Sequence, residues 1–265
     1  MQEGISYLAG AELPCLIVNI MRGGPGLGNI APSQSDYFQS TRGGGHGDYR
    51  TPVFAPSSVQ EMVDLVPICF DIADKYRTPT MIIAEGILGQ MMEPVTLPDF
   101  STPHNYDKSW ALTGSRKRDQ NIVRSLWLKE GVLEQLNNTL IEKYKKIEKN
   151  ETRFEQYKTD DADIIIVAYG IVSRIAKAAV EQLADENIKA GVFRPISLYP
   201  FPNNELEKLA RKKNNFLTVE MSMGQMIDDV KIAVGKDVNL EFFGRAGGGI
   251  PTVEQVIKHV KKTLS

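Results

Sequence analysis

The sequence is poor in cysteine and histidine, with two and three of these residues among 265. Cys15 and Cys69 both lie in apolar patterns typical of a strand or a helix, which predicts buried thiols in a reducing compartment. Two cysteines are too few to ligate an iron–sulfur cluster or a structural zinc, and no HxxxH, HExxH or clustered Cys/His motif is present. We therefore predict no metal site built by this chain, and we expect any redox metal to lie on another chain.

Strong net charge and long apolar runs are also missing. The formal net charge is −2 at pH 7, which gives no electrostatic reason to expect nucleic acid or an anionic membrane as a partner. No apolar run approaches the length of a membrane span, and the N-terminal MQEGISYLAGAELPC lacks the basic start and long apolar core of a signal peptide. The composition is that of an ordinary globular protein, for which we predict a cytoplasmic location.

Glycine, in contrast, is concentrated in one stretch. Residues 19–50, NIMRGGPGLGNIAPSQSDYFQSTRGGGHGDYR, hold eight of the 22 glycines. The preceding residues 14–20 have the pattern of a short buried strand, and Ser58-Val-Gln-Glu61 is a capping box that opens a helix. A long aperiodic segment inside a domain is usually functional or disordered, and open α/β sheets bind ligands at the carboxyl ends of their strands. This stretch is therefore the candidate site.

Arg22 is the strongest candidate residue within the stretch. It follows the strand directly and precedes Gly23-Gly24-Pro25, where the missing side chains let a ligand approach the backbone and proline stiffens the turn. A guanidinium held there can bind a carboxylate through two parallel hydrogen bonds. The alternative is a surface arginine that pairs with a neighbouring acid.

Other polar residues of the stretch are weaker candidates. His46 and Asp48, in GGGHGDYR, could be acid/base partners or could bind a cofactor. A glycine-rich turn with a few polar residues is the simpler interpretation of both. Gln34 and Asp36 are weaker still.

The first half of the chain supplies few strands. The helix from Ser58 has its apolar positions at Val59, Met62, Val63, Val66, Phe70 and Ala73, with a kink expected at Pro67, and a second strand follows at residues 80–84. The two predicted strands are apolar on both faces and therefore need neighbours on each side. We expect either that another chain completes the sheet or, as the favoured interpretation, that Met1 is an internal residue of a longer protein.

The second half shows a regular alternation. Residues 96–160 form a linker with a long amphipathic helix whose apolar positions are Leu133, Leu136, Leu140, Tyr144, Ile147 and Phe154. Strands at 163–168, 190–193, 216–219 and 240–243 are each followed by a helix, which predicts a parallel sheet.

Two glycine turns of this half precede helices. They lie at 169–173 and 244–252 and could bind phosphate at a helix N-terminus, although tight turns and caps explain them more simply. Asp228 and Asp229 are predicted to lie on a solvated helix face.

Several motifs together resemble one known family. The stretches MQEGISYLAGAELPCLIVNIMRGGP, SSVQEMVDL and AEGILGQMMEPV are similar to the pyrimidine-binding domain of the α-subunit of 2-oxoacid:ferredoxin oxidoreductases. ADIIIVAYGIVSRIAKAAV, FRPISLYPFP, VEMSMGQM and GRAGGGIPT resemble the transketolase-C-terminal-like domain of the same subunit. KSWALTGSRKRD and EKYKKIEKNETRFEQY look most like the branched-chain, 2-oxoisovalerate members. The resemblance implies an α/β fold with the C-terminal half of the pyrimidine-binding domain at 1–95, a linker at 96–160 and a complete transketolase-C-terminal-like domain at 161–265.

The resemblance also implies a reaction and its cofactors. Family members oxidatively decarboxylate a 2-oxoacid to its acyl-CoA, with CoA as co-substrate. Thiamine diphosphate is shared with a β-subunit that holds magnesium and the diphosphate. Iron–sulfur clusters on partner chains, a γ-subunit and a ferredoxin-like subunit, pass electrons to ferredoxin, and self-association is expected. The catalytic glutamate of the family is expected upstream of Met1, so this chain alone is expected to be inactive.

The glycine-rich loop indicates the substrate within that family. Arg22 matches the family arginine that contacts the substrate carboxylate, with Gly23 and Gly24 beside it. Relatives that act on 2-oxoglutarate look like RGGPSTGLPT, whereas this chain has RGGPGLGNIA, which places Leu27 and Ala31 at the threonine positions. An apolar lining favours an alkyl chain, so we predict a branched-chain 2-oxoacid; Asn29 has no assigned role.

Three alternatives stay open. The chain could belong to a 2-oxoglutarate- or pyruvate-specific member of the family. It could instead be another thiamine enzyme, such as a transketolase or a deoxyxylulose-phosphate synthase, although the RGGP loop and the lack of sugar-phosphate contacts argue against that. The third alternative is a non-catalytic assembly fragment.

Overall fold

The computed structural model describes residues 1–98 and 106–265, whose strands form two sheets. The strands are β1 (Cys15–Met21), β2 (Val53–Phe54), β3 (Pro79–Glu85), β4 (Phe154–Tyr157), β5 (Ile164–Val167), β6 (Ala190–Pro195), β7 (Ser197–Tyr199), β8 (Asn215–Glu220) and β9 (Asn239–Gly244). The helices are α1 (Gln2–Gly10), α2 (Tyr37–Thr41), α3 (Val59–Tyr76), α4 (Gly86–Gln90), α5 (Val132–Asn150), α6 (Gly170–Asp185), α7 (Asn203–Ala210), α8 (Met226–Val234) and α9 (Val253–Leu264). In this part of the chain no helix is both long enough and apolar enough to cross a membrane.

The first sheet has the strand order β1-β3-β2-β7. The two strands expected in the first half, β1 and β3, are both present and pair in parallel. The count of two is wrong, because β2 pairs with the other side of β3 and β7 comes from the second half of the chain to pair with β2. A two-residue strand such as β2 is too short to show any periodicity. β1 lies at the edge of this sheet, where Val18 and Ile20 are half exposed.

The second sheet has the order β4-β6-β5-β8-β9. Its four parallel strands β5, β6, β8 and β9 confirm the parallel sheet predicted from the alternating pattern. A helix directly follows β5, β8 and β9, whereas β7 lies between β6 and α7. The antiparallel edge strand β4 was not predicted. Phe154 keeps helical spacing from Ile147, but α5 ends at Asn150 and Phe154 instead pairs with Pro195 of β6. Long-range pairing thus overrides the local helical pattern.

Helix α3 differs from its prediction in register and in its cap. Leu65, Cys69, Ile72 and Ala73 form its buried stripe, whereas Phe70 is 51% exposed, so the predicted apolar face was partly wrong. Pro67 lies inside the helix, which continues on both sides.

The predicted capping box of α3 is only half formed. The Ser58 hydroxyl accepts a hydrogen bond from the Glu61 N–H at 3.1 Å. The Glu61 carboxylate, however, accepts from the Ser57 N–H at 2.7 Å and pairs with Arg194 of β6. Ser58 is therefore the cap, and Glu61 is a link between the two halves of the chain.

Ser58→Ala is expected to lower the free energy of unfolding by about 1 kcal/mol, because the Glu61 N–H loses its partner at the helix start. Chemical denaturation of the wild type and the variant measures this difference. Ser115→Ala, at an exposed turn residue, is the matched control and should change stability by less than about 0.5 kcal/mol. Equal effects of the two variants would contradict the capping role.

The two sheets share one hydrophobic core. A single cluster of buried side chains combines Met21 and Tyr37 from the first half with Ile165, Phe193 and Phe216 from the second. Next to it, Arg194 is 4% exposed and pairs with both Glu61 and Glu155, at 2.5 and 3.0 Å. The halves are therefore packed together rather than merely linked, and the glycine-rich loop lies where they meet.

Candidate functional site

The residues that follow β1 form a closed loop, which we call the Arg22 loop (residues 22–34). Its first and last parts pair with each other, because Arg22 and Pro32 form an antiparallel bridge and the Gly23 N–H donates to the Ala31 carbonyl at 2.8 Å. Gly28 has a φ of +49°, and a side chain there would collide with the Gly23 carbonyl. Glycine is thus required at position 28 for the loop to close.

The backbone of its own loop holds the Arg22 guanidinium. Nη1 donates to the carbonyls of Gly23 and Leu27, at 2.8 and 2.6 Å, and Nη2 donates to the Gly26 carbonyl at 3.1 Å. These bonds use three of the five N–H donors. Among residues 1–98 and 106–265, no acid pairs with Arg22, and Nε–H and one Nη2–H have no acceptor. Because Nε and Nη2 lie on one edge of the guanidinium plane, that edge can bind a carboxylate through two parallel bonds.

The other predicted residues of the loop lie on different sides of it. Leu27 is 95% exposed and Ile30 is 94% exposed, so within this chain Leu27 lines no enclosed pocket. A side chain on Gly24 would meet no atom within 4 Å, which leaves this backbone open to a ligand. Ala31 is half-buried and packs against Gly248, where a side chain would collide with the alanine methyl group.

Asn29 joins the loop to the second glycine-rich turn. Its Nδ2 donates to the Gly247 carbonyl at 3.0 Å, and its Oδ1 accepts from the Ala31 N–H at 3.0 Å. Sequence reasoning gave Asn29 no role. Gly247 is 218 residues away from Asn29 along the chain, so no local sequence pattern indicates this contact.

His46 and Asp48 are not brought to the Arg22 loop. Both are exposed and line a cavity of about 410 Å³ between α1 and α5, whose lining contains no residue of that loop. The His46 carbonyl accepts a hydrogen bond from the Ser6 hydroxyl at 2.6 Å. Their acid/base or cofactor roles stay predictions, at a place apart from Arg22.

Gln34 lies at the centre of a buried polar network at the end of the loop. It is fully buried, its Oε1 accepts from the Met221 N–H at 2.9 Å, and its Nε2 donates to the Tyr169 carbonyl at 3.0 Å and to the Glu85 carboxylate. Its backbone N–H donates to the Met221 carbonyl at 2.9 Å. A glutamine in a loop gives no sequence signal for such a position, and Gln34 was therefore only a weak candidate in the sequence.

Glu85 ends β3 and is fully buried. Its carboxylate accepts hydrogen bonds from Gln34 Nε2 and from the Ile171 N–H, at 3.3 Å, in the first turn of α6. Burial raises the pKa of this carboxyl to about 7, although its hydrogen bonds with Gln34 and with backbone N–H groups act in the opposite direction. The sequence analysis did not single out Glu85.

The position of Glu85 supports the cap interpretation of residues 169–173 over phosphate binding. A protein carboxylate already occupies the N-terminus of α6, where a phosphate would bind. Gly170 has a φ of +56°, and any side chain there would collide with the Glu85 carboxylate. The glycine of this turn therefore makes room for Glu85, and the Ser173 hydroxyl donates to the Gly170 carbonyl at 2.7 Å.

Two further helix N-termini are capped by side chains. The Glu220 carboxylate, whose pKa is raised by burial, accepts the N–H groups of Gln225, Met226 and Ile227 at the start of α8. Thr252 and Gln255 form a complete capping box at α9. The cap interpretation of residues 244–252 is therefore the one that the contacts support.

Asp229 was predicted wrongly as a solvated residue. It is 7% exposed, and its carboxylate accepts from the Tyr37 hydroxyl at 2.5 Å and pairs with Arg42 at 2.9 Å. Asp228 is exposed and pairs with Lys231, as expected for a solvated face. Adjacent acids on a helix point in different directions, so one pattern can describe one of them and miss the other.

A metal site would require several ligating side chains close together. Across residues 1–98 and 106–265, no three His, Cys, Asp or Glu side chains cluster in a way that could hold a metal ion. The described part of the chain therefore offers a guanidinium edge that can bind a carboxylate, but no cluster of three such metal ligands.

Comparisons with known proteins place the chain in a family. Residues 1–159 match the profile described as "Pyruvate flavodoxin/ferredoxin oxidoreductase, thiamine diP-bdg", and residues 162–256 match "Pyruvate:ferredoxin oxidoreductase core domain II". The ketoisovalerate oxidoreductase subunit VorB of Methanothermobacter marburgensis is 50% identical over 98% of this chain and 74% of its own length. The 2-oxoglutarate synthase subunit KorA of Methanocaldococcus jannaschii is 33% identical over 98% of this chain and 76% of its own.

A solved structure shows the same fold. The 2-oxoglutarate:ferredoxin oxidoreductase from Magnetococcus marinus, with 2-oxoglutarate, coenzyme A and succinyl-CoA bound, superposes with a TM-score of 0.81 at 20% identity. The match covers 97% of this chain and 50% of that one, so this chain spans about half the length of the solved polypeptide. The resemblance found in the motifs is thus confirmed, and the chain belongs to the thiamine diphosphate-binding pyruvate flavodoxin/ferredoxin oxidoreductase family.

Proposed function

We propose that this chain is the α-type subunit of a 2-oxoacid:ferredoxin oxidoreductase that oxidatively decarboxylates a branched-chain 2-oxoacid to its acyl-CoA. The observation that carries the proposal is the state of Arg22, whose guanidinium is fixed by three loop carbonyls and keeps one edge available. The VorB relative, half identical to this chain, is named for ketoisovalerate. Arg22 accounts for the carboxylate of the 2-oxoacid, and the name of the relative supports an alkyl side chain.

Arg22 is suited to hold the carboxylate of such a substrate. Its side chain is exposed, so a small anion can reach the available Nε/Nη2 edge. The three carbonyl contacts order the side chain before the substrate arrives, which reduces the entropy lost on binding. The role of Arg22 is therefore to bind and orient the 2-oxoacid.

The side chains of the loop favour an apolar substituent on that acid. Between Gly23 and Ala31 the only polar side chain is that of Asn29, and contacts with Gly247 and Ala31 already engage both ends of its amide. A second carboxylate, as in 2-oxoglutarate, would find at most the one remaining Asn29 Nδ2–H among these side chains and would be poorly compensated for its lost hydration. Leu27 and Ile30 instead offer apolar surface for an alkyl group.

The cofactor is proposed to be shared between chains. The two glycine-rich turns leave no free helix N-terminus for the diphosphate, because side chains already cap α6 and α9, and no cluster of three metal ligands for its magnesium is present among residues 1–98 and 106–265. We assign these groups to a β-subunit, and the iron–sulfur clusters to the γ-subunit and a ferredoxin-like subunit that reduce ferredoxin. Thiamine diphosphate, when bound, supplies the nucleophile for the 2-oxo carbon and accepts the electrons released with CO₂. This chain's own contribution is the carboxylate contact of Arg22.

Substrate competition in the assembled enzyme tests the proposal. With CoA and a viologen dye as electron acceptor, kcat/KM for 2-oxoisovalerate should exceed that for 2-oxoglutarate and pyruvate by about tenfold or more. Leu27→Thr should narrow the gap to 2-oxoglutarate, because it places a hydroxyl on the loop. Leu128→Thr, at another exposed leucine, is the control and should leave the ratio unchanged. A preference for 2-oxoglutarate in the wild type would overturn the substrate assignment.

A further inference from the structure

The two ends of the Arg22 loop meet at one residue. Met21, directly before the loop, pairs with Glu85 in the β1–β3 ladder. At the other end of the loop, the side chain of Gln34 donates to the carboxylate of the same glutamate. Glu85 therefore lies beside Met21 at the start of the loop, and its carboxylate accepts a hydrogen bond from Gln34 at the end of the loop.

Gln34 also connects this point to the second half of the chain. Besides Glu85, it forms hydrogen bonds with the backbone of Tyr169, which follows β5, and of Met221, which follows β8. The Tyr169 hydroxyl donates in turn to the Gln34 carbonyl at 3.2 Å. All of these groups are buried where water does not reach them, so their hydrogen-bond partners must come from the protein itself.

We infer that Gln34 and Glu85 form a buried latch that fixes the Arg22 loop against the second half of the chain, which makes Gln34 a positioning residue for the reaction. This role rests on the proposed function of Arg22. The amide of glutamine suits the position, since two N–H donors face Glu85 and the Tyr169 carbonyl while the oxygen accepts the Met221 N–H. An acid offers no donors here, and an apolar side chain would leave three buried polar groups without partners.

The latch has a consequence for Arg22 that a general stabilising contact would not have. The guanidinium is held by carbonyls of its own loop, so its position depends on the conformation of that loop. Removing the Gln34 side chain loosens one end of the loop, because only its backbone bonds with Met221 and Tyr169 then remain there, while the Asn29–Gly247 contact is unchanged. We expect the substrate carboxylate then to be bound less tightly, with a smaller effect on the later chemistry.

Hydrogen exchange and kinetics of the assembled enzyme test the latch together. In Gln34→Met, amides of residues 22–34 should exchange about tenfold faster or more, and KM for 2-oxoisovalerate should rise by about tenfold to a hundredfold while kcat falls less. The double variant Gln34→Glu with Glu85→Gln exchanges donor and acceptor. It rebuilds the 34–85 hydrogen bond and keeps the acceptor for the Met221 N–H, but it leaves the Tyr169 carbonyl without its donor, so it should recover only part of both losses. Glu151→Gln, at a buried glutamate that pairs with Lys75, is the control for general destabilisation.

The outcomes separate the latch from the function of Arg22. If Gln34→Met changes loop exchange and KM no more than Glu151→Gln does, or if the exchanged pair recovers neither, the latch is overturned. Faster loop exchange with an unchanged KM overturns Gln34 as a positioning residue, and the kinetics of Arg22→Ala then decide independently whether the arginine binds substrate. Should Gln34→Met fail to fold, Gln34→Asn, which keeps the amide but shortens its reach, serves for the same measurements with the same criteria.

Discussion

Arg22→Ala is expected to lower kcat/KM for 2-oxoisovalerate by about 30- to 1,000-fold, equivalent to about 2–4 kcal/mol of lost transition-state stabilisation. The loss arises because the substrate carboxylate then enters the site without the two charge-assisted hydrogen bonds of the Nε/Nη2 edge. The measurement is CoA-dependent reduction of a viologen dye by the assembled enzyme, with 2-oxoisovalerate varied through its KM.

Arg22→Lys separates the charge of this residue from its fork geometry. Lysine keeps the positive charge, but its point charge can neither satisfy three loop carbonyls nor present a planar edge to a carboxylate. We expect kcat/KM between that of wild type and that of Arg22→Ala. Arg211→Ala, which removes an exposed arginine paired with Glu207 on α7, is the control and should be close to wild type. A kcat/KM for Arg22→Ala equal to this control would contradict the carboxylate role.

The parts of this molecule that were predicted correctly are those with a local periodic signal. The strands β5, β6, β8 and β9 are short apolar runs, each followed by a helical pattern, and their parallel pairing follows from that alternation. Arg22, whose substrate role stays a prediction, could be singled out as a candidate because glycines and a strand end mark its place within a few residues. Each of these signals lies within about 20 residues of chain.

Features that depend on distant contacts could not be predicted in this way. Gln34 meets Glu85 across 51 residues and Tyr169 across 135, and neither a glutamine in a loop nor a glutamate at a strand end is unusual. The strand β7 belongs to the second half of the chain but pairs with β2 of the first. The chain itself therefore supplies part of the strands that the first half was expected to lack. Caps were correctly favoured over phosphate at the helix N-termini, but the residue that caps α6 could not be named because Glu85 comes from another sheet.

The buried carboxyl of Glu85 should give the stability of the protein a specific pH dependence. Its pKa in the folded chain is raised to about 7, mainly by burial. Between about pH 4.5 and pH 7 the folded chain therefore retains a proton that the unfolded chain releases. Because the unfolded state binds fewer protons in this window, the contribution of Glu85 to stability is fully present below about pH 4.5 and is lost as the pH rises through 7.

Glu85→Gln removes this titration while keeping the size of the side chain and an oxygen acceptor. The free energy of unfolding of wild type relative to the variant should fall by about 3 kcal/mol between pH 4.5 and pH 8, since about 2.5 pKa units correspond to roughly 1.4 kcal/mol each. Chemical denaturation at a series of pH values measures this difference. The other titratable groups of the network, among them Tyr169, Asp36 and Glu220, are present in both proteins.

A control residue whose contribution to stability changes with pH in the opposite direction makes the test more stringent. Glu142 is exposed, and a hydrogen bond from Lys145 lowers the pKa of its carboxyl. Its contribution is present above the usual pKa of a glutamate and is lost as the pH falls, so Glu142→Gln should show a small slope opposite to that of Glu85→Gln. If the difference between wild type and Glu85→Gln is flat from pH 4.5 to pH 8, the Glu85 carboxyl is not held in the buried, desolvated position that closes the Arg22 loop.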